Sequence, residues 1–257
     1  MSGKVDSNLL GDSPHHIGHL TLNAPQSLNS LTRDMVDALL ASLLAWRDDD
    51  TVAAVFIDGV GDKAFCAGGD VQALRDSCQA TPGGPCDYAE NFFAQEYRMN
   101  YILHTYPKPV ICWGHGVVMG GGLGILAGCS HRVVSERTRI GMPEVTIALF
   151  PDVGGSWFLN KMPGHLGRFL ALTAANINAT DALFCGLGHY FLAHQQRDDV
   201  IAALISSDWS ANDSHSIVAS VLKTMPAGTA RPEAQVEPLM DEINAWVSGD
   251  DLTVIVD

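Results

Sequence analysis

The feature that most constrains this chain is a triple glycine, Gly120-Gly121-Gly122, which follows an apolar run. Glycines directly after a predicted strand leave backbone N–H groups uncovered at the expected start of a helix. The unpaired N–H groups and the helix dipole both favour negative charge at such a place. The segment therefore predicts a site that can stabilise a developing oxyanion.

A second glycine pair, Gly68-Gly69, lies upstream in the segment FCAGGD. The absence of a Cβ lets a ligand approach the main chain closely, so this loop offers a second backbone donor. Two convergent N–H groups form an oxyanion hole, and the downstream carboxylates of Glu144 and Asp152 complete a set suited to acyl chemistry. Taken alone, each glycine cluster is more simply explained by a tight turn or close packing.

Three segments together carry more weight, and they occur in the order FCAGGD, HGVVMGGGLG and MPEVTIALFPDVGGSWFL. In this order they resemble the crotonase superfamily, and within it the 3-hydroxyisobutyryl-CoA hydrolase branch, over residues 17–192. The resemblance implies an α/β fold, a crotonase-like spiral of ββα units with a helical C-terminal region. Residues 1–192 would form the acyl-CoA-binding core, and residues 193–257 a helical region that is incomplete relative to the family.

The resemblance also implies which backbone groups bind the substrate. In the superfamily, the thioester carbonyl lies between two N–H groups, which correspond here to Gly69 and Gly121. The neighbouring Gly68 and Gly120 belong to the same substrate-binding loops. Coenzyme A enters as part of the substrate, so no separate cofactor is expected.

The acidic residues separate the branches of the superfamily. Enoyl-CoA hydratases carry one of their two catalytic glutamates two residues past the triple glycine, where this chain has Gly124, and the second corresponds to Glu144. The hydrolase branch instead pairs Glu144 with an aspartate in PDVGG, here Asp152. This implies that Glu144 attacks the thioester or activates water, while Asp152 binds or protonates groups around a 3-hydroxyl. The sequence does not separate the covalent from the water-mediated route.

Glu96 is a third candidate carboxylate. A helix predicted over residues 88–104 places Glu96 on one stripe with Phe92, Met99 and Leu103, which are apolar. A carboxylate on an apolar stripe either faces a cleft or is paired, for example with Arg98, because burying it bare is costly. The resembling hydrolases have a glutamate near the substrate here, so Glu96 is expected to bind the hydroxyl or to tune Glu144 by like-charge coupling.

The bulk composition excludes several classes of protein. A net charge of −14 argues against nucleic acid, which needs a basic face. No spacing of Cys and His predicts a metal site, and no apolar run is long enough to span a bilayer. We therefore expect a cytoplasmic protein that binds no metal and no membrane. The anionic coenzyme must meet local positive charge, for which the candidates are Lys63, Arg75, Arg98, Arg132, Arg137 and Arg139.

Alternating strands and helices are predicted along the core. Ser30 or Thr32 should cap a first helix, residues 52–57 should form a buried strand, and residues 110–113 a strand that feeds the glycine segment beginning at Gly116. Two other functions stay open. One is an enoyl-CoA hydratase or isomerase of the same fold, and the other is a catalytically inert protein that binds coenzyme A. A homo-oligomer is possible in each case.

Overall fold

A computed structural model describes residues 3–12, 14–211, 213–226, 228–249 and 251. Within these residues the strands are β1 (Lys4–Leu10), β2 (His16–Asn23), β3 (Val52–Gly59), β4 (Ala64–Cys66), β5 (Val110–Gly114), β6 (Val117–Met119), β7 (His131–Val134), β8 (Arg139–Gly141), β9 (Ile177–Asn178) and β10 (Tyr190–Phe191). The α-helices are α1 (Arg33–Arg47), α2 (Val71–Ala80), α3 (Asp87–His104), α4 (Gly121–Gly128), α5 (Gly155–Phe158), α6 (Leu166–Thr173), α7 (Ala179–Phe184), α8 (Arg197–Ile205), α9 (Ser214–Thr224) and α10 (Met240–Trp246).

The strands form two sheets. The larger sheet has the order β1-β2-β3-β5-β7-β10, and the smaller one has the order β4-β6-β8-β9. Pairing is parallel except at β1 with β2 and β8 with β9, which are antiparallel. Long crossovers between parallel strands leave room for helices on the sheet faces, and the mixed α/β class predicted from the sequence is confirmed.

Helices cover both faces of the larger sheet. All eight residues of β3 are buried, as its continuous apolar run predicts. On one face, Val55 and Ile57 share a core cluster with Leu39 of α1. On the other face, Phe56 shares a second cluster with Leu204 of α8 and Val218 of α9. Helices α8 and α9, which follow residue 192, therefore pack against the sheet.

Several helix starts follow from local capping. The Thr32 side chain accepts a hydrogen bond from Met35 N and caps α1, while Asp70 accepts from Ala73 N and caps α2. Asn178 and Asp181 form a capping box at α7. The residue that caps α1 is therefore Thr32 and not Ser30. The boundary predicted for the core at residue 192 stays a prediction.

The strand predicted before the glycine segment is confirmed. Residues 110–113 lie within β5 of the larger sheet, which ends just before Gly116. The chain turns at His115 and Gly116 and enters β6 of the smaller sheet, and β6 leads to Gly120. Strands of both sheets therefore contact α4. No helix in the described ranges is long and apolar enough to cross a membrane.

Candidate active site

The two glycine loops predicted to bind the substrate lie side by side. Gly68 and Gly120 both have positive φ, at 104° and 49°, which places these loops in conformations that favour glycine. A Cβ on Gly68 would lie 3.5 Å from the backbone N of Gly121. The loop after β4 and the start of α4 are thus in close contact although they are distant in sequence.

Backbone hydrogen bonds fix the upstream loop. Leu31 N donates to Gly68 O at 2.8 Å, and Asp70 N donates to Leu31 O at 2.9 Å. Among the described residues, no backbone carbonyl accepts a hydrogen bond from the N–H of Gly69 or from that of Gly121. Both N–H groups thus remain available to a ligand oxygen, which is the arrangement an oxyanion hole needs. Their role as oxyanion donors stays a prediction.

Glu96 lies beside the start of α4. The α3 stripe predicted from the sequence is buried, and Glu96 is only 2% exposed. A Cβ on Gly121 would overlap Glu96 Oε1, so the glycine is required for this approach. Glu96 Oε1 has no hydrogen-bond partner among the described residues, which contradicts pairing with Arg98.

Glu144 approaches the same glycine segment from a different element. It is the second residue of a 3₁₀ helix, Pro143–Ile147, and its side chain is buried. Glu144 Oε1 lies 2.9 Å from the position that a Cβ on Gly120 would take, and Oε2 has no partner in the described chain. Two buried carboxylates therefore flank the loop that carries the predicted oxyanion donor.

Asp152 is held by a tyrosine. The Tyr97 hydroxyl donates a 2.7 Å hydrogen bond to Asp152 Oδ2, and Asp152 is 8% exposed. The following residue, Val153, has a φ of 45°, which is rare for a β-branched residue. The bond connects α3 with the turn that precedes α5.

The three carboxylates influence each other's ionisation. Burial, together with the charges of Asp152 and Glu144, raises the pKa of Glu96 to about 8. Burial, with a contribution from the charge of Asp152, raises the pKa of Glu144 to about 7. Burial also raises the pKa of Asp152, although the Tyr97 hydrogen bond lowers it. Such mutual shifts are typical of sites that perform acid–base or nucleophilic chemistry.

Gly124 leaves no room for a side chain. A Cβ at this position would lie 2.6 Å from Val153 Cβ and 3.1 Å from Asn100 Nδ2. Contacts below 3.0 Å between carbons require the neighbour to move. The space next to α4 that a glutamate would need is thus already filled by Val153.

A cavity of about 740 Å³ opens beyond Asp152. Its walls come from the second half of α3, the end of α4 and residues 150–158, and they include Tyr97, Asn100 and Gly124. Of the predicted catalytic residues, Asp152 lies on this wall, whereas Glu96, Glu144 and the two oxyanion glycines do not. The cavity therefore adjoins the carboxylate cluster on its Asp152 side.

Sequence reasoning missed Tyr97 and Asn100. Tyr97 is separated by 55 residues from the carboxylate it contacts, so no local pattern reveals the bond. Asn100 follows Glu96 by one helical turn and thus shares its face of α3, a spacing that could have identified it. Tyr97 becomes visible as part of the site only in the folded chain.

A sequence profile of the enoyl-CoA hydratase/isomerase family matches residues 17–257. The chain belongs to this family. Curated relatives include the mitochondrial 3-hydroxyisobutyryl-CoA hydrolase of Bos taurus, which is 35% identical over 93% of this chain and 61% of its own length. The 3-hydroxyisobutyryl-CoA hydrolase 1 of Arabidopsis thaliana is 40% identical over 72% of this chain and 48% of its own length. The chain thus spans less than two thirds of these relatives.

Solved structures confirm the fold of this family member. A carnitinyl-CoA dehydratase from Mycobacterium thermoresistibile is 35% identical and superposes with a TM-score of 0.85, over 98% of this chain and 69% of that one. The crotonase-like fold predicted from the glycine motifs is therefore confirmed.

Some of the basic residues expected to bind the coenzyme phosphates already contact other side chains. Three of the six candidates contact a neighbouring side chain: Arg75 with Asp76, Arg132 with His189, and Arg137 with Asp62. In the described part of the chain, no group of three or more His, Cys, Asp or Glu side chains is arranged to hold a metal ion.

Proposed function

We propose that this chain hydrolyses a 3-hydroxyacyl-CoA thioester, with 3-hydroxyisobutyryl-CoA as the leading substrate. The observation that carries the proposal is the position of Glu144 against Gly120, within electrostatic reach of Asp152, while Val153 fills the space at Gly124. The names of the bovine and plant relatives support the same reaction. The products would be 3-hydroxyisobutyrate and coenzyme A.

The thioester carbonyl would accept hydrogen bonds from the N–H groups of Gly69 and Gly121. These donors stabilise the negative charge that develops on the oxygen when the carbonyl carbon is attacked. Removing one such donor typically costs about 3 kcal/mol of transition-state stabilisation. The close contact of the two glycine loops supports this assignment, because both donors must reach one oxygen.

Glu144 would act as the nucleophile or general base, because its pKa of about 7 leaves a substantial ionised fraction at neutral pH. Glu96, with a pKa of about 8, would stay largely protonated and could donate a hydrogen bond. Asp152 would bind or protonate groups around the 3-hydroxyl from the cavity wall. The cluster thus supplies a base and an acid from the same residue type.

Two routes lead to the same products. In the covalent route, Glu144 forms a mixed anhydride with the acyl group, the C–S bond breaks, and water then cleaves the anhydride. In the other route, Glu144 takes a proton from water, which adds to the carbonyl directly before the thiolate leaves. A burst of coenzyme A release, equal in amount to the enzyme, would indicate the covalent intermediate.

The test is coenzyme A release from 3-hydroxyisobutyryl-CoA, measured beside crotonyl-CoA hydration, for the wild type and for Glu144→Gln. We expect release by the wild type, a loss of at least about a thousandfold in the variant, and negligible hydration. Robust hydration of crotonyl-CoA would instead support the hydratase alternative. Binding of both thioesters without turnover would support an inert protein that binds coenzyme A.

The cellular location of the protein and its possible homo-oligomer can each be tested directly. A cytoplasmic protein was expected from the sequence, whereas the bovine relative is named as mitochondrial. Fractionation of cells that express the tagged full-length protein separates the two locations. Sedimentation equilibrium of the purified chain tests whether it forms the possible homo-oligomer.

A further inference from the structure

Asn100 is a buried amide without a hydrogen-bond partner. It is 8% exposed, and neither Oδ1 nor Nδ2 has a partner among the described residues. Most buried polar groups in proteins are hydrogen-bonded, and leaving one unpaired costs roughly 1–3 kcal/mol. Asn100 belongs to the wall of the cavity beyond Asp152, and its two amide atoms are closed to solvent, so a rotation of the side chain would bring them to a ligand in that cavity.

The cavity has the character of a binding site for an acyl substituent. Its volume of about 740 Å³ lies within the range of ligand sites, and its surface is mainly apolar. Tyr101, Phe150 and Trp157 line it and are more than half exposed, so its rim is aromatic and open to solvent. A Cβ at Gly124 would lie 3.1 Å from Asn100 Nδ2, so a larger residue at that position would crowd the amide.

The chemistry of the walls restricts the ligand. An anionic group would be repelled by Asp152 on the wall and by the nearby carboxylate cluster of Glu96 and Glu144. A purely apolar group would leave both Asn100 atoms unpaired. An ammonium group could use Oδ1 but not Nδ2. A neutral hydroxyl both donates and accepts, and it therefore matches the amide.

We propose that Asn100 is a specificity-determining residue that hydrogen-bonds a neutral hydroxyl on the acyl group, and that the cavity holds the rest of that substituent. This inference rests on the proposed thioester function. It adds a residue that selects hydroxyacyl over unsubstituted acyl groups. The hydroxyl oxygen would accept from Asn100 Nδ2, and its single proton would be donated either to Asn100 Oδ1 or to Asp152, which lies on the same cavity wall.

The test compares 3-hydroxyisobutyryl-CoA with isobutyryl-CoA, which lacks only the hydroxyl. Asn100→Leu keeps a similar volume and removes both hydrogen-bonding groups, and Asn100→Ala serves if the leucine variant does not fold. We expect the ratio of kcat/KM for the two thioesters to fall at least about tenfold in the variant. Asn91→Leu, on the exposed face of the same helix, should leave the ratio unchanged.

An equal loss for both thioesters, or an unchanged ratio, would overturn the inference, because a structural role lowers both rates together. If the wild type hydrolyses neither thioester, the hydrolase proposal fails and the same comparison is made by calorimetric binding. Tighter binding of the hydroxylated thioester that Asn100→Leu abolishes would then still support Asn100. Equal binding of both thioesters, or binding of neither, would overturn it.

Discussion

Val153 Cβ lies 2.6 Å from the position that a Cβ on Gly124 would take. Val153 reaches this place because its backbone has a φ of 45°, a conformation that β-branched residues rarely adopt and that costs on the order of 1–3 kcal/mol. The same turn carries Asp152 into contact with Tyr97. Val153, which fills the space beside Gly124, is thus the direct neighbour of Asp152, the carboxylate proposed to act instead of a glutamate at position 124.

A first prediction concerns Gly124→Ala. By helix propensity alone this change should stabilise α4 by about 1 kcal/mol. The collision with Val153 should reverse the sign and lower the free energy of unfolding by roughly 1–3 kcal/mol. Urea denaturation measures the difference, with Gly84→Ala, which meets only ordinary contacts, as the control.

Adding Val153→Gly to Gly124→Ala tests the cause of that loss. Glycine adopts the observed φ without strain and removes the colliding side chain. The double variant should therefore recover most of the lost stability. A gain in stability for Gly124→Ala alone would show that the turn moves away without cost.

A second prediction concerns Tyr97→Phe, which removes the 2.7 Å hydrogen bond to Asp152. Since that bond lowers the pKa of Asp152, its loss should raise this pKa and weaken the orientation of the carboxylate. We expect kcat/KM to fall about tenfold and its acidic limb to move to higher pH. Tyr88→Phe, on the same helix but outside the cavity wall, should change neither quantity, and a loss of rate without a shift in pH profile would indicate a structural role only.

A third prediction concerns the pH dependence of catalysis. Glu144 must be ionised to act, so kcat/KM should rise with pH through about 7. Glu96 should lose its proton near pH 8, and the added negative charge should lower the rate above that pH. Rate profiles of the wild type and Glu96→Gln check this, because the variant should keep the rising limb and lose the falling one. A falling limb that persists in Glu96→Gln would assign it to another group.

A fourth prediction concerns stability. The pKa of Glu96 is raised from its ordinary range to about 8 by burial, so the folded state holds this proton where the unfolded chain has lost it. The associated stability is complete below the unfolded pKa and is lost as pH rises toward about 8, at about 1.4 kcal/mol per pH unit. Glu96→Gln should therefore gain stability relative to the wild type as pH increases over this interval.

Denaturation at acidic and alkaline pH measures that gain. Glu90→Gln is the matched control, because Glu90 is exposed on the same helix. Its effect should be close to zero at both pH values. An effect of Glu96→Gln that does not change with pH would contradict the raised pKa.

A fifth prediction concerns the length of the acyl group. A short branched acyl chain fills only part of a cavity of about 740 Å³, so medium-length 3-hydroxyacyl-CoA thioesters should also be hydrolysed. Ala127→Phe would narrow the cavity from α4 and should lower kcat/KM for the longer thioester about tenfold more than for the short one. Ala94→Phe, at an exposed position of α3, is the control, and equal losses for both thioesters would show that the longer chain lies elsewhere.

The elements with strong periodicity or local caps could be predicted from the sequence. The cap at Thr32, the buried strand β3 and the apolar stripe that carries Glu96 each follow from a pattern of a few neighbouring residues. The glycine motifs indicated the family, because three of them occur in one order. These features depend on neighbouring residues or on a known motif, so they can be predicted without knowing which distant segments come into contact.

The remaining features depend on contacts between distant segments. Strands β6 and β8 have three residues each, which is too short for a period to appear, and they are defined by pairing with each other in the smaller sheet. The antiparallel β1 strand likewise has a mostly polar sequence, and its pairing with β2 and its contacts with α1 hold it in place. The Tyr97–Asp152 bond and the unpaired Asn100 amide arise only where α3 meets the turn before α5.

The use of main-chain N–H groups at Gly69 and Gly121 affects what mutational scanning of this protein can detect. A substitution by any residue except proline keeps the backbone N–H at either position, so it does not delete the group proposed to bind the oxyanion. At Gly121 it would instead displace Glu96, and the lost activity would be assigned to the wrong cause. Replacing the amide by an ester in a semisynthetic chain would remove the donor alone. Of the proposed catalytic groups, the two oxyanion donors are therefore main-chain N–H groups, and an ordinary side-chain substitution does not remove them.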